Sequence, residues 1–548
     1  MSHHNSSLFS GTRTLRVVSL ALLALLLFAA NAFALSSPNI PLDSPIYAYL
    51  EKLSGAGLIR SDFRGIRPFS KAEAARLVLE AEAALKERPD VSALASEVVQ
   101  RLKELLPREY GLYREEKAPF LDYNLVASSR LRYVYLDGTP RSYERPVHDP
   151  GNDGVFGIGS GLRPPNPYPS IALQHGTEGT PFLPNNEGIV YRDGHNAELR
   201  FSSEAYLGRQ VSALIEPLFV YRGSGGAAQL LLNKGYVKLG GGGLELEVGR
   251  DANWLGLGTR GAITLTDNAR NFDLIKLSSP EPLSLGSWGM VKYSLIASRF
   301  DRTVTDGAER QPWFYALKLS YKPASDWEIG FNLGRQVGGP GVNNSFGDTL
   351  RGIIGGTSAD NSNGLAGIEL RYRASWLRNT EFYGEFSGED TAAFWPIVES
   401  YVAGFYIPRL TDSGRDDLRF EFFKGNNILY TNGTFPEGYL YRGMPIGHSQ
   451  GGATIEFYLR YSHWFSPRNI LALELYRTDR GHEGRVEVNG VRQGIERKHA
   501  GTISWNLPLA GDVDLNLMYG REQISNFNLA NGVDQTNQLF KAEMSYRY

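Results

Sequence analysis

Five residues of the 548-residue chain, Gly447-His448-Ser449-Gln450-Gly451, have the G-x-S-x-G spacing of a nucleophile elbow. That spacing supports acyl transfer only where a strand leads into the serine and a helix leads away, so that the hydroxyl stands free beside an oxyanion hole. Here Met444-Pro445 interrupts the approach, and Gly452-Ala453-Thr454 leads into a run that alternates from Ile455 as a strand does. His463, His482 and His499 follow, but no acid is paired with any of them in the sequence. A second pattern, Gly256, Gly258 and Gly261, fits the G-x-G-x-x-G dinucleotide fingerprint. The residues after it, Ala262 to Thr266, are strand-like and supply no helix N-terminus for a pyrophosphate. Glu245 and Glu247 stand two apart on one strand face and mimic a glycosidase pair, although simple alternation produces such pairs by default. The Gly/Asp loops Asp149 to Asp153 and Asp412 to Asp417 have Ca²⁺-loop composition, which solvated turns share. There is no H-E-x-x-H, and the nine histidines show no metal-ligand spacing, so no metal or other cofactor is expected.

The elements that must position these residues come in two kinds, behind a leader. Residues 1–34 have the form of a signal peptide: Arg13 and Arg16, the apolar run Val17 to Ala30, and Ala32-Phe33-Ala34 as the small-x-small cleavage site. The apolar run is too short to favour a membrane-spanning helix, and nothing later approaches one. With 57 basic against 59 acidic residues the formal net charge is -2, which offers nucleic acid no basic surface. Zero cysteines exclude disulfides and thiolate metal sites. The 61 glycines, 29 tyrosines, 27 phenylalanines and 8 tryptophans mark a turn-rich, aromatic-rich chain of the kind built from strands.

Residues 35–119 read as a small helical bundle. Asp43 is the expected cap of a first helix bearing Pro45, Ile46, Tyr49, Leu50 and Leu53, with Gly55 and Gly57 closing it. Ser70 to Glu73 has capping-box spacing before a second helix, which Pro89 stops. A third runs from about Val91 to Leu106. Three short amphipathic helices bury too little to stand alone and need a surface to lean on.

From residue 120 to 548 the period becomes two. Tyr315, Leu317, Leu319 and Tyr321 alternate with Ala316, Lys318 and Ser320, while Ala366, Ile368, Leu370 and Tyr372 oppose Gly367, Glu369, Arg371 and Arg373. The last residues, Leu539 to Tyr548, set Phe540, Ala542, Met544 and Tyr546 against Lys541, Glu543, Ser545 and Arg547. A soluble sandwich alternates as well, with its oily face inward. A face charged with both signs, an opposing face thick with aromatics, and short turns alternating with long loops favour a large antiparallel transmembrane β-barrel. An even strand number of roughly 14 to 18 is expected for a chain of this length. Asp137 to Gly194, with Pro164-Pro165-Asn166-Pro167, is the longest irregular stretch and would lie outside the cell or fold into the lumen.

Gly249–Thr259 (GRDANWLGLGT), Leu265–Ala269 (LTDNA), Asp273–Leu277 (DLIKL), Pro41–Ser44 (PLDS), Tyr441–His448 (YRGMPIGH) and His463–Pro467 (HWFSP) resemble the Wzi capsule-assembly family, in order along nearly the whole mature chain. The resemblance implies an 18-stranded outer-membrane barrel with periplasmic helices at its base and long loops at the cell surface. It also implies a lectin-like, non-catalytic role in attaching capsular or related extracellular polysaccharide. Its partners would be that polysaccharide, outer-membrane lipid and the machinery that exports the polymer. The protein is expected to be a monomer. Sugars are held by aromatic faces and by Arg, Asn and Asp side chains, and Arg250, Asp251, Asn253, Trp254, Asn268 and Arg270 bring those types into one stretch as a candidate carbohydrate site. The bland alternative is a structural network inside the lumen.

Two other functions compete. Asp43 to Leu79, with Gly57-Leu58-Ile59 and Arg67 to Glu73, also looks like an S-layer-homology segment, which suggests a porin tethered to the cell wall. The remaining reading is an outer-membrane hydrolase using Ser449.

Overall fold

The computed structural model describes residues 35–547 apart from 89–91, 115–116, 149–170, 306, 343, 354–361, 393–394 and 483. The leader, the Asp149–Asp153 loop and Pro164–Pro167 lie outside the described residues. Four helices precede the barrel strands: α1 (Pro45–Gly55), α2 (Lys71–Glu87), α3 (Ala93–Leu105) and α4 (Pro107–Tyr113). Ser44, not Asp43, caps α1, its hydroxyl accepting from the Ile46 amide. Asp43 instead pairs with Arg130 on the barrel wall. Ser70 caps α2 as its spacing predicts, accepting from the Glu73 amide at 3.1 Å. The Glu73 carboxylate departs from the capping box and turns to Arg76 at 2.9 Å. Burial would raise its pKa, but Arg76 and Lys292 hold it below the ordinary value. Helix α4, opened by Pro107, is one more than the periodicity predicts.

Eighteen strands, from Leu121–Asp137 to Gln535–Arg547, form a closed antiparallel barrel, with the two-residue piece Leu283–Ser284 added beside Met290–Arg299. Closure comes from the first strand, which pairs with Gly194–Leu207 on one side and with Gln535–Arg547 on the other. A closed ring leaves no unpaired edge, the condition for strands to lie in hydrocarbon. The strands are turned oily side out. On the first, Arg130 and Arg132 are buried while Leu131, Tyr133 and Tyr135 are 47, 38 and 41% exposed. On Ser362–Ala374, Glu369, Arg371 and Arg373 are buried and Leu370 is exposed. A soluble sandwich would reverse both.

The two rims differ. One carries the tight turns 208–210, 242–243, 323–326, 467–468 and 509–512; the other carries 138–193, 252–271, 338–361, 426–453 and 481–495. The helices sit on the short-turn rim, tied by Arg101–Asp512 at 2.9 Å and Arg108–Asp122 at 3.0 Å. Their apolar faces share one core with Trp464 and Ile470 of the barrel, which is the surface they lean on.

Candidate functional site

Two loops of the opposite rim fold inward. Residues 252–271 and 426–453 meet inside the barrel, where the Thr266 amide donates to the Ile446 carbonyl at 2.7 Å and the Tyr430 hydroxyl to that of Ile263 at 2.6 Å. Barrel carboxylates accept from the loop backbone: Glu385 from Gly258 at 2.9 Å and Ile263 at 3.0 Å, Glu421 from Thr259 and Arg260 at 2.8 and 2.9 Å. These bonds satisfy amides that no sheet partner reaches, which is what permits irregular backbone at this depth.

The glycines that mimic a dinucleotide fingerprint are there for this packing. A Cβ on Gly261 would stand 2.2 Å from the His448 ring, and one on Gly256 would stand 2.3 Å from Ala262. His448 in turn stacks on Phe423, centroids 3.6 Å apart. Ser449, in the elbow-like motif, is buried; its hydroxyl accepts from the Gln450 side chain, and the strand Thr454–Ser466 follows in place of a helix. Glu245 and Glu247 pair with Lys238 and Lys276 at 2.6 and 2.8 Å. Asp416 and Asp417 of the Gly/Asp loop bind His463 and Lys52. Among the described residues no group of three His, Cys, Asp or Glu side chains is arranged to hold a metal ion.

The segment before α2 rises into the lumen from the other side. Arg64 and Gly65 donate backbone amides to Glu328, and Ile66–Arg67 pairs as a two-residue strand with Trp254–Leu255 of the inward loop. Asp62 lies among Arg371, Lys322, Arg64 and Arg373. Burial would raise its carboxyl, yet these cations hold it well below the usual carboxylate range. The S-layer-like stretch is therefore built into the barrel and is not displayed as a free module.

Between the helices and the inward loops remains a chamber of about 460 Å³. Nine basic and six acidic side chains line it, together with Tyr47, Tyr49, Phe69, Trp254, Tyr383 and Trp464. Most of the charges are paired, as in Arg419–Glu51 at 2.6 Å and Arg132–Glu543 at 2.5 Å. Arg67 is not. Its guanidinium donates to the Gly258 carbonyl at 2.7 Å and lies 4.4 Å from the centre of the Trp254 ring, with no carboxylate in ion-pair reach among the described residues. Burial lowers its pKa. Asp267 faces the same chamber with Oδ1 unbonded, and burial, then nearby Glu187, push its carboxyl up to about 7.

The six residues singled out from the sequence separate into three groups. Asp251, Asn253 and Asn268 are buried and hold the fold: Asp251 accepts from Asn39 at 2.7 Å, Asn253 from Lys276 at 3.2 Å, and Asn268 donates to the Pro445 carbonyl at 3.0 Å. Trp254 lines the chamber. Arg250 and Arg270 meet instead at a small cavity of about 90 Å³ by the long-loop rim, beside Asn271, Tyr441 and Arg442. Arg250 there grips Asp273 with two bonds of 2.8 Å, while one buried Nη of Arg270 has no partner among the described residues. Sequence reading missed Arg67 and Asp267. Arg67 lies 187 positions before Trp254, and no local pattern links them.

A family model described as the capsule assembly protein Wzi matches residues 163–539. The solved structure of Wzi, an outer-membrane protein involved in group 1 capsule assembly in Escherichia coli and described as a carbohydrate-binding β-barrel, is 15% identical. The match covers 94% of this chain and 99% of that one with a TM-score of 0.63, which shows the shared fold. Pseudomonas aeruginosa OccK11 aligns at 11% identity over 79% of this chain and 97% of its own, with a TM-score of 0.40. An anion-selective porin from Comamonas acidovorans aligns at 12% identity over 78% and 100%, with a TM-score of 0.32. No curated protein matches this sequence. With a barrel of eighteen strands and a family match across more than half of its length, the chain belongs to the Wzi family of capsule assembly proteins.

Proposed function

We propose that this protein holds capsular or related extracellular polysaccharide at the outer surface of the cell, by binding and without catalysis. The helices face the periplasm and the long loops face out, as the turn asymmetry of outer-membrane barrels supports. The observation that carries the reading is the filled lumen. A diffusion porin keeps a water channel, whereas here two inward loops are bonded to each other and to the wall across the bore. What remains for work at the surface is the broad loop rim. There, in the cavity they share with Arg250 and Tyr441, Arg270 and Arg442 bring the donors, and Tyr441 the aromatic edge, that a sugar acid group takes.

Deleting the gene tests the reading. Polymer released into the medium with total synthesis unchanged is the expected result; polymer that stays on the cells, or is no longer made, overturns it.

A further inference from the structure

The lining of the chamber includes buried polar atoms that no described group satisfies. Buried donors and acceptors are almost always bonded. Yet the indole N–H of Trp254, Nε of Arg67, Oδ1 of Asp267, Oδ1 of Asn185 and Oδ1 of Asn516 are all buried without a partner among the described residues, and all five residues line this one cavity. Water fills such a space if nothing better does. The set has a specific character, however. It combines a cation whose direct contacts are the Gly256 and Gly258 carbonyls and the Trp254 ring, a neutral N–H donor, and several acceptors. Those are the needs of a polyhydroxylated ring bearing one negative group. At about 460 Å³ the volume suits one or two sugar units and falls within the range of small-molecule pockets.

The chamber extends to the helix side. The wall reaches the short-turn rim at Arg468 and Asp514, whose side chains are 21 and 25% exposed. At the far end, buried Trp254, Leu257 and Asp267 belong to the inward loop that closes the bore.

We infer that the lumenal chamber is a second carbohydrate site, which takes a terminal acidic sugar residue entering from the side that carries the helices. Arg67 meets the acid group, and Trp254 with Asp267 meets ring hydroxyls. The inference rests on the proposed function for its ligand class and adds a site distinct from the loop rim.

The test uses the full-length barrel in detergent, titrated calorimetrically with glucuronate, its dimer, glucose and cellobiose. Acidic sugars are expected to bind at least tenfold more tightly than their neutral counterparts. Arg67→Gln should erase that preference, and Trp254→Phe should weaken binding a few-fold while keeping it. Correct folding of each variant is read from its heat-modifiable mobility on a gel. The chain has no cysteine, so Asn516→Cys coupled to a bulky maleimide places a block in the chamber and should abolish binding of the acidic sugars. Equal affinity for acidic and neutral sugars, or a preference that survives Arg67→Gln, overturns the chamber site. If the barrel then still binds intact polymer, the proposed function stands without it. If polymer binding fails as well, both fall.

Discussion

Lys52 of α1 donates to Asp417 on the barrel wall at 3.0 Å and to the Pro408 carbonyl at 2.8 Å, with its ammonium 5.2 Å from the centre of the Trp464 ring. Both partners are nearly excluded from solvent, so this joint fastens the helical layer to the barrel. Lys52→Met leaves Asp417, among the described residues, with only the Trp464 N–H at 2.6 Å. Removing one member of a buried pair costs about 3–5 kcal/mol. Urea unfolding should show that loss, and the double variant Lys52→Met/Asp417→Leu should recover much of it because no lone charge remains.

The outward face is equally open to test. Leu459 is 38% exposed near the middle of Thr454–Ser466. On a water-facing strand an arginine there would change stability by less than about 0.5 kcal/mol. In lipid it should cost about 2–4 kcal/mol. Refolding Leu459→Arg into vesicles and measuring its unfolding free energy distinguishes the two.

Gly261 sits where the two inward loops pack against each other. Its α-carbon abuts the His448 ring so closely that a leucine side chain must part the two inward loops. Overpacking of this kind costs about 1–3 kcal/mol. In planar bilayers the native barrel should be nearly silent, and Gly261→Leu should conduct.

Asp267 gives a pH dependence of known sign. Its folded pKa of about 7 lies above the ordinary 3.8, because burial and then Glu187 disfavour the charge, with Lys234 and Arg67 opposing. The folded state therefore holds this proton more tightly than the unfolded chain. The stability contribution is complete below about pH 4 and is lost as pH rises through about 7. Up to about 4 kcal/mol is at stake, from roughly three pKa units. Asp267→Asn should flatten the difference in stability between pH 4.5 and pH 8, measured by urea unfolding at each pH.

Much of the fold was legible because it is written in periods. Alternation in Tyr315 to Tyr321 or Phe540 to Tyr546 survives any barrel size, and Ser70 with Glu73 marks the start of α2 at short range. The exchange of Ser44 for Asp43 as a cap turns on one hydroxyl's reach, since Arg130, 87 residues away, claims the acid. Helix α4 is too short to show a period. The chamber was least legible. Arg67, Trp254 and Asp267 are ordinary residues until the barrel closes around them, and the six residues grouped by proximity in sequence point in three directions once Gly249–Asp251 becomes wall and Ala252–Arg270 becomes plug.

A plugged, lipid-facing barrel of this family is expected to bind polymer. The most direct test is co-sedimentation of the host's own purified polysaccharide with proteoliposomes carrying the intact barrel. Saturable pull-down of polymer, weakened several-fold by Arg250→Ala/Arg270→Ala, is the predicted result. Polymer left in the supernatant at every protein concentration, from vesicles in which the barrel is verifiably folded, would contradict it.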